Sequence, residues 1–320
     1  MATTGDTLLN YVLKLDVRTP TADANADYLR RAVVVVKPLT EEAETGTLTK
    51  VISATAAQAL TANKDIEQLF AAGMNSVYIL PMNDLDLAEA LANATERFKT
   101  VLISSDFSET EIASLDVGSF KGVVSAIFST QTAAKAFAAQ QNRVAWFNHK
   151  GSTEGKNAFF AWGAFLSSTT WNNNQFISLP VDDGIIELGE AESLFNDRIA
   201  FALTSEQYGP RLGFFCVGGQ AIIAPYVTEE LMLNLQGAAL RYLNLNRPQY
   251  TLPQAKLLED YLNTDARQRY VQTNLLTYVN VEITLTNTNY EGTVVVSIPE
   301  PSALWRLVGT LTQEAFSYAG

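Results

Sequence analysis

The sequence is short of the residues that most often carry chemistry. It has one cysteine, Cys216, and one histidine, His149. A lone cysteine excludes an intrachain disulfide, and within Gly213-Phe214-Phe215-Cys216-Val217 it reads as a small buried hydrophobe. A Cys/His zinc site would have to use that one pair and fill its remaining positions with carboxylates. The acidic residues are scattered, with no Asp-x-Asp cage for calcium. A Ser-His-Asp triad would need His149, but there is no G-x-S-x-G elbow. The nearest fragment, Gly118-Ser119-Phe120-Lys121-Gly122, has its serine in the wrong place. Gly151 to Asn157 resembles a phosphate loop, yet its glycine spacing is one residue short and Asn157 stands where Ser or Thr would hold magnesium. Gly218-Gly219 lacks the third glycine and the following acid of a dinucleotide fingerprint.

Basic residues are also few. Twenty-two Lys and Arg against 34 Asp and Glu give a net charge of −12, which argues against direct nucleic-acid binding, because phosphate contacts need clustered cations. The acidity reads first as solubility, with repulsion between like subunits or steering toward a basic partner as smaller roles. No apolar run approaches the ~20 residues of a membrane span. Met1 to Asp6 lacks a basic n-region and an apolar h-region, so no signal peptide and synthesis in a cytoplasm are expected. There is no internal repeat and no low-complexity tract.

What is present is patterned hydrophobicity. Near the C-terminus Val279, Val281, Ile283 and Leu285 alternate with Asn280, Glu282, Thr284 and Thr286, the period of a half-buried strand. A polar turn, Asn287 to Gly292, leads to a second β-branched run, Thr293 to Ile298, stopped by Pro299. Beyond Pro299-Glu300-Pro301 a last short run holds Leu307, Val308 and Leu311. The N-terminus mirrors it: Leu9, Tyr11, Leu13, Leu15 and Val17 alternate with polar residues, followed by a polar link from Arg18 to Asp27. The chain therefore predicts a detached strand at each end. Such strands carry unpaired N–H and C=O groups unless another strand completes them.

Between the ends, strands and helices alternate. Ala32 to Val36 is a continuous valine run, predicting a strand buried on both faces. A helix through Ile66, Leu69 and Phe70 ends at Gly73, a fitting C′ glycine. Ser76 to Leu80 is a strand stopped by Pro81. Asn83 is placed to cap a helix with the stripe Leu87, Leu91, Ala94 and Phe98. Thr100–Ile103 is a strand, Ser108 and Glu111 form a capping box for a helix reaching about Leu115, and Val123–Phe128 is the next strand. An alanine-rich helix (133–139) and a strand (143–147) follow. Ala158 to Ser167 predicts a buried helix, with Phe159, Phe160, Trp162 and Phe165 as core. Residues 177–197 are ambiguous. Short strands at 200–203 and 212–217 precede a helix over 228–245, and Pro253 opens another with Leu257, Leu258, Tyr261 and Leu262. The fold class is α/β: a mixed sheet with flanking helices, a C-terminal β-hairpin, and extended N- and C-terminal strands. Asp106 lies just beyond a strand, where α/β enzymes place acids, but a carboxylate near a helix N-terminus needs no catalysis to explain it. The absence of a catalytic constellation argues against an enzyme.

This order of features resembles the contractile tail sheath proteins of bacteriophages and related injection machines. Ile66 to Asn83 looks like that family's helix, glycine and apolar strand. Leu85 to Ser104 is similar to the sheath core. Ala145-Trp146-Phe147-Asn148 and Thr170-Trp171-Asn172-Asn173 fall where sheaths carry tryptophan-containing stretches. The tail has the sheath order of helix (Glu229 to Arg247), helix (Leu257 to Leu262), hairpin (Val279 to Ile298) and terminal strand (Pro299 to Leu311). The sequence departs from the family in lacking a P-G-V-Y opening, and its length leaves little room for an outer domain.

The resemblance implies an N-terminal arm and linker (1–27), a sheath body (28–300) and a C-terminal arm (301–320). It implies arm strands carrying Leu9, Tyr11, Leu13, Leu15, Val17, Leu307, Val308 and Leu311 that add to neighbouring subunits. The strand of Val279, Val281, Ile283 and Leu285 would receive them. The partners implied are further copies of the chain, as hexameric rings in a helical stack, an inner tail tube protein, and baseplate and tail terminator proteins. Neither nucleic acid nor membrane would be contacted directly. No cofactor or metal is expected, since the energy of contraction is stored in assembly. The place implied is the tail of a virion assembled in a host cytoplasm. The alternatives are an α/β ligand-binding protein or enzyme with Asp106 near its site, or another phage tail component, although α/β alternation argues against the mainly β tube.

Overall fold

The computed structural model describes residues 9–13, 26–40, 45–148, 155–168, 171, 179, 188–205, 209–214, 216–217, 220–246, 248, 251–285 and 292–299. In chain order the elements are β1 (Leu9–Leu13), β2 (Ala32–Val36), β3 (Thr49–Val51), α1 (Ala54–Ala57), α2 (Asp65–Ala71), β4 (Val77–Pro81) and α3 (Ala88–Ala92). There follow β5 (Thr100–Ile103), α4 (Glu109–Ala113), β6 (Val123–Phe128), α5 (Gln131–Ala138), β7 (Arg143–Phe147), α6 (Lys156–Ser167) and α7 (Leu188–Asn196). The last are β8 (Phe201–Ser205), β9 (Gly209–Phe214), β10 (Cys216–Val217), β11 (Gln220–Ala221), α8 (Ala224–Asn246), α9 (Leu252–Ala266), β12 (Asn280–Leu285) and β13 (Gly292–Ile298). A 3-10 turn, Ala26–Arg30, precedes β2.

The valine run explains the body. All five residues of β2 are buried, because the strand lies inside a six-stranded sheet of order β3-β4-β2-β5-β6-β7. The strands β4, β2, β5, β6 and β7 are parallel, and only the edge strand β3 runs antiparallel. Period-two geometry sends Val34 and Val36 into one core with α2, α6 and α8, and Val33 and Val35 into the other with α4, α5 and α7. The aromatics of α6 belong to the first core. Trp162 donates from Nε1 to Ser125 Oγ at 2.9 Å, and Phe165 packs on Tyr226 with ring centroids 5.1 Å apart.

Local signals end the helices as the sequence predicts, with one exception. At the end of α2, Met74 N–H reaches Leu69 C=O (3.1 Å) and Gly73 N–H reaches Phe70 C=O (3.0 Å), the two bonds of a Schellman motif, with Gly73 at φ 104°. The Ser108–Glu111 capping box is formed, but α4 stops at Ala113. The exception is the helix expected from Asn83, which is reduced to α3. Leu87 N–H is spent on Asp116 C=O at 2.7 Å and Asp116 N–H on Leu85 C=O at 2.9 Å. This bridge ties residues 85–87 to Asp116 and delays the helix to Ala88. Pro81, expected to stop β4, is its last residue, and Met82 N–H then takes Val36 C=O at 2.8 Å. The ambiguous stretch contains α7. In α9, Leu258 and Leu262 are buried, whereas Leu257 is 52% and Tyr261 37% exposed. Only the first pair therefore faces the core.

Candidate functional site

The two β-branched runs near the C-terminus form a small sheet of their own, separate from the six-stranded one, in the order β1-β13-β12. Val281 pairs with Val296 and Ile283 with Val294. These four and Ile298 are buried in the first core with Leu258 and Leu262 of α9, while Glu282 and Thr284 are exposed. Alternation thus fixes which face packs on the helix.

The two edges of the hairpin differ. On the β12 side, α9 supplies polar side chains one turn apart. Val281 N–H donates to Asn263 Oδ1 at 2.9 Å, Asn263 Nδ2 returns a bond to Val281 C=O at 2.8 Å, and Ile283 N–H donates to Glu259 Oε2 at 2.8 Å. Glu259 is held in turn by Lys256 at 2.8 Å. Since the N–H groups of Val281 and Ile283 point at α9, those of Asn280, Glu282 and Thr284 serve the ladder with β13. By the same alternation Val294, Val296 and Ile298 direct their backbone groups to the opposite edge. There β1 pairs antiparallel with β13, Leu9 opposite Ile298, Tyr11 opposite Val296 and Leu13 opposite Val294.

These positions can be set against the expected arm residues. Leu9, Tyr11 and Leu13 lie in β1, on β13 of the same chain. Val281, Ile283 and Leu285 lie in β12, with Val279 buried just before it, and the outer edge of that strand is occupied by α9. Leu15, Val17, Leu307, Val308 and Leu311 lie outside the described residues. The sequence reading did not single out Glu259, Asn263 or the β13 residues. Their signal is weak: a polar i,i+4 pair interrupts no pattern, and nothing local shows that it faces a strand twenty residues on.

The 3-10 turn that leads into β2 is anchored to the body through Tyr28 and Arg30. Tyr28 donates its hydroxyl to Glu229 at the start of α8, Lys99 pairs with the same carboxylate, and the Arg97 guanidinium lies 4.2 Å from the Tyr28 ring. Burial, and then the Glu229 carboxylate, push the Tyr28 pKa up, so it remains a neutral donor. Arg30 lies 4.2 Å over the Trp171 ring, whose Nε1 donates to Glu230 Oε2 at 2.6 Å. The 3-10 turn is thereby fixed to α8, the helix that leads into α9 and the small sheet.

The other place where chemistry could reside is the carboxyl end of the parallel sheet, where β2 lies between β4 and β5 and the chain crosses from β4 past β2 to β5. Asp106 sits there, but it accepts from Asn63 Nδ2 (2.8 Å), Ser104 Oγ (3.1 Å) and Lys37 N–H (3.3 Å). Beside it Asp65, 3% exposed, accepts from Ser105 Oγ (2.6 Å) and Ser105 N–H (3.2 Å). Burial pushes the Asp65 carboxyl up to about 6. Gly155 opens α6 at φ 71° against this carboxylate, and a Cβ there would stand 2.2 Å from Asp65 Oδ2. Both carboxylates are thus engaged by groups of the chain itself, and Asp106 fastens loops. His149 and residues 151–154 lie outside the described residues, and Cys216 is in β10, paired with Ala221. Among the described residues no cluster of three or more His, Cys, Asp or Glu is placed to hold a metal, and no helix is long and apolar enough to cross a membrane.

No family model and no curated protein matches the sequence. Among solved structures, the chain is similar to the helical sheath of the anti-feeding prophage (AFP) in its contracted state, determined by cryo-EM. The TM-score is 0.58 over 90% of this chain and 94% of that chain, at 14% sequence identity. So little identity with so complete a coverage means that topology is shared where individual side chains are not. The mixed six-stranded sheet, its flanking helices and the terminal hairpin together make this chain a protein with the fold of a contractile sheath subunit.

Proposed function

We propose that the protein is the structural subunit of a contractile sheath. It assembles as stacked rings, hexameric by analogy with the family, around an inner tube, and contracts to drive that tube through a cell envelope. The observation that carries this reading is the extent of the likeness: it takes in 90% of the chain, well beyond what a common α/β body would give. The engagement of Asp65 and Asp106 by Ser105, Asn63, Ser104 and Lys37 supports it from the other side, since it gives both carboxylates a role in holding loops together.

In this reading residues 1–27 and 301–320 are arms and 28–300 the body. Arms add strands to neighbouring copies, and main-chain bonds hold while bodies move. A contact that does not close within one ring gives open helical growth. Because α9 holds the outer edge of β12, the receiving edge in the small sheet is that of β13. Val279, Val281, Ile283 and Leu285 then belong to the strand that supports it. A tube protein, a baseplate and a tail terminator are the further partners, in a phage tail or a related injection particle. Contraction needs no cofactor, and neither nucleic acid nor lipid is bound directly.

Electron microscopy of the concentrated purified protein tests this. Hollow, striated tubes of uniform width are expected. Discrete particles of monomeric mass with protease-resistant termini would overturn it.

A further inference from the structure

We propose that in the free subunit β1 is an intramolecular cap on the β13 edge, and that the Leu9–Leu13 strand of a second copy displaces it. The exchange partner rests on the sheath reading; the cap itself rests on the geometry of one chain.

The argument starts from the asymmetry of the hairpin. The β12 edge is closed by groups that cannot leave, Glu259 and Asn263 on a helix packed into the core. Among the described residues the β13 edge is closed only by β1, a strand of five residues joined to the anchored turn at Ala26 by the twelve residues 14–25. An open β13 edge would present the N–H and C=O groups of Val294, Val296 and Ile298 to any passing strand. Strand β1 satisfies them in a defined register, from Leu9 opposite Ile298 to Leu13 opposite Val294.

A second copy offers the same five residues to the same edge, so the main-chain bonds made in trans repeat those broken in cis. Exchange is then close to neutral in bonds, as in domain swapping. What separates the two states is the connection. Twelve linking residues reach at most roughly 45 Å, which keeps β1 at a millimolar local concentration around its own acceptor. A free second strand at micromolar concentration loses that competition, and copies held side by side in an assembly do not. The cap thus delays strand exchange until subunits are already neighbours.

The probe is a fluorescein-labelled peptide of residues 7–17, titrated by anisotropy into the full-length protein at concentrations where it is monomeric. Three proteins are compared: the natural chain, Tyr11→Pro, and Val12→Cys/Val295→Cys in a Cys216→Ser background. Tyr11 faces Val296, so proline there removes a ladder donor and releases β1. Val12 and Val295 are opposite each other at a non-hydrogen-bonded position, where Cα separations suit a disulfide. Tyr11→Pro is expected to bind the peptide about tenfold or more tighter than the natural chain. The oxidised double-cysteine protein, crosslinked within one chain, is expected not to bind until it is reduced. Equal binding by the natural chain and Tyr11→Pro, or no binding by any of the three, overturns the cap. So does a double-cysteine protein that crosslinks only between chains. Tubes do not enter the readout. The expected peptide result from a protein that never forms tubes would remove the sheath reading and leave the cap. Tubes with equal peptide binding would do the reverse.

Discussion

At the scale of single residues, the buried carboxyl of Asp65 has a measurable consequence. Its side chain faces Ser105 and Asn63 from neighbouring loops, the like charge of Asp106, and the Gly155 backbone at the start of α6. Burial outweighs the hydrogen bonds and lifts its pKa from 3.8 to about 6. A raised acid binds its proton more tightly in the folded state. Its contribution to stability is complete below about pH 4 and is lost as pH rises through about 6. Glu111, held down at about 2 by Lys37 and by Ser108, works in the opposite sense and is lost only in strong acid. The expected outcome is that Asp65→Asn, which keeps an acceptor for Ser105, matches the natural protein near pH 4. By pH 7 it should exceed it by on the order of 2–3 kcal/mol. Urea unfolding at four pH values between 4 and 7 checks this, and a difference that does not change with pH would refute it.

Among the elements, α9 both packs on the hairpin and closes one of its edges. Leu258, Leu262 and Ala266 form the packing face, and Glu259 and Asn263 form the closing one. Changing Glu259 and Asn263 together to alanine leaves two N–H groups and one carbonyl of β12 without their partners. About 1–3 kcal/mol per group left dry in the protein is the expected scale, less where water replaces it. The double variant should therefore lose roughly 3 kcal/mol in urea unfolding and self-associate through the opened edge on size exclusion. A protein that stays monomeric with unchanged stability would show that water caps β12 equally well. Much of the element pattern was legible in the sequence because its causes are local. Continuous valines gave β2, alternation gave β12, Gly73 ended α2, and Ser108 with Glu111 began α4. The failures have non-local causes. The helix after Asn83 was shortened by a bridge to Asp116, thirty residues away. The pairing of β1 with β13 and the α9 closure of β12 join positions that no periodicity connects. The difference between the two hairpin edges therefore emerges from the structure, while the alternating strands around it could be read directly.

For the whole molecule, the question is whether the ends serve the fold or the assembly. The two cores formed by described residues run from Tyr28 to Ile298, and the body's own order rests on the six-stranded sheet and its helices. The anchors of the 3-10 turn, Tyr28 on Glu229 and Arg30 on Trp171, lie outside both residues 9–17 and residues 307–320. Deleting residues 9–17, or residues 307–320, should therefore leave a soluble body with unchanged circular dichroism and a cooperative melt, with the midpoint shifted by only a few degrees. Both proteins should fail to form tubes under conditions where the full chain forms them, because strand addition between copies needs a donor as well as an edge. The first deletion also bares β13, so it alone should bind the peptide of residues 7–17 without competition. Normal tubes from both deletions would show that body contacts suffice for assembly, and would leave the terminal strands without the role argued for them. An unfolded body from either deletion would place that end within the fold instead.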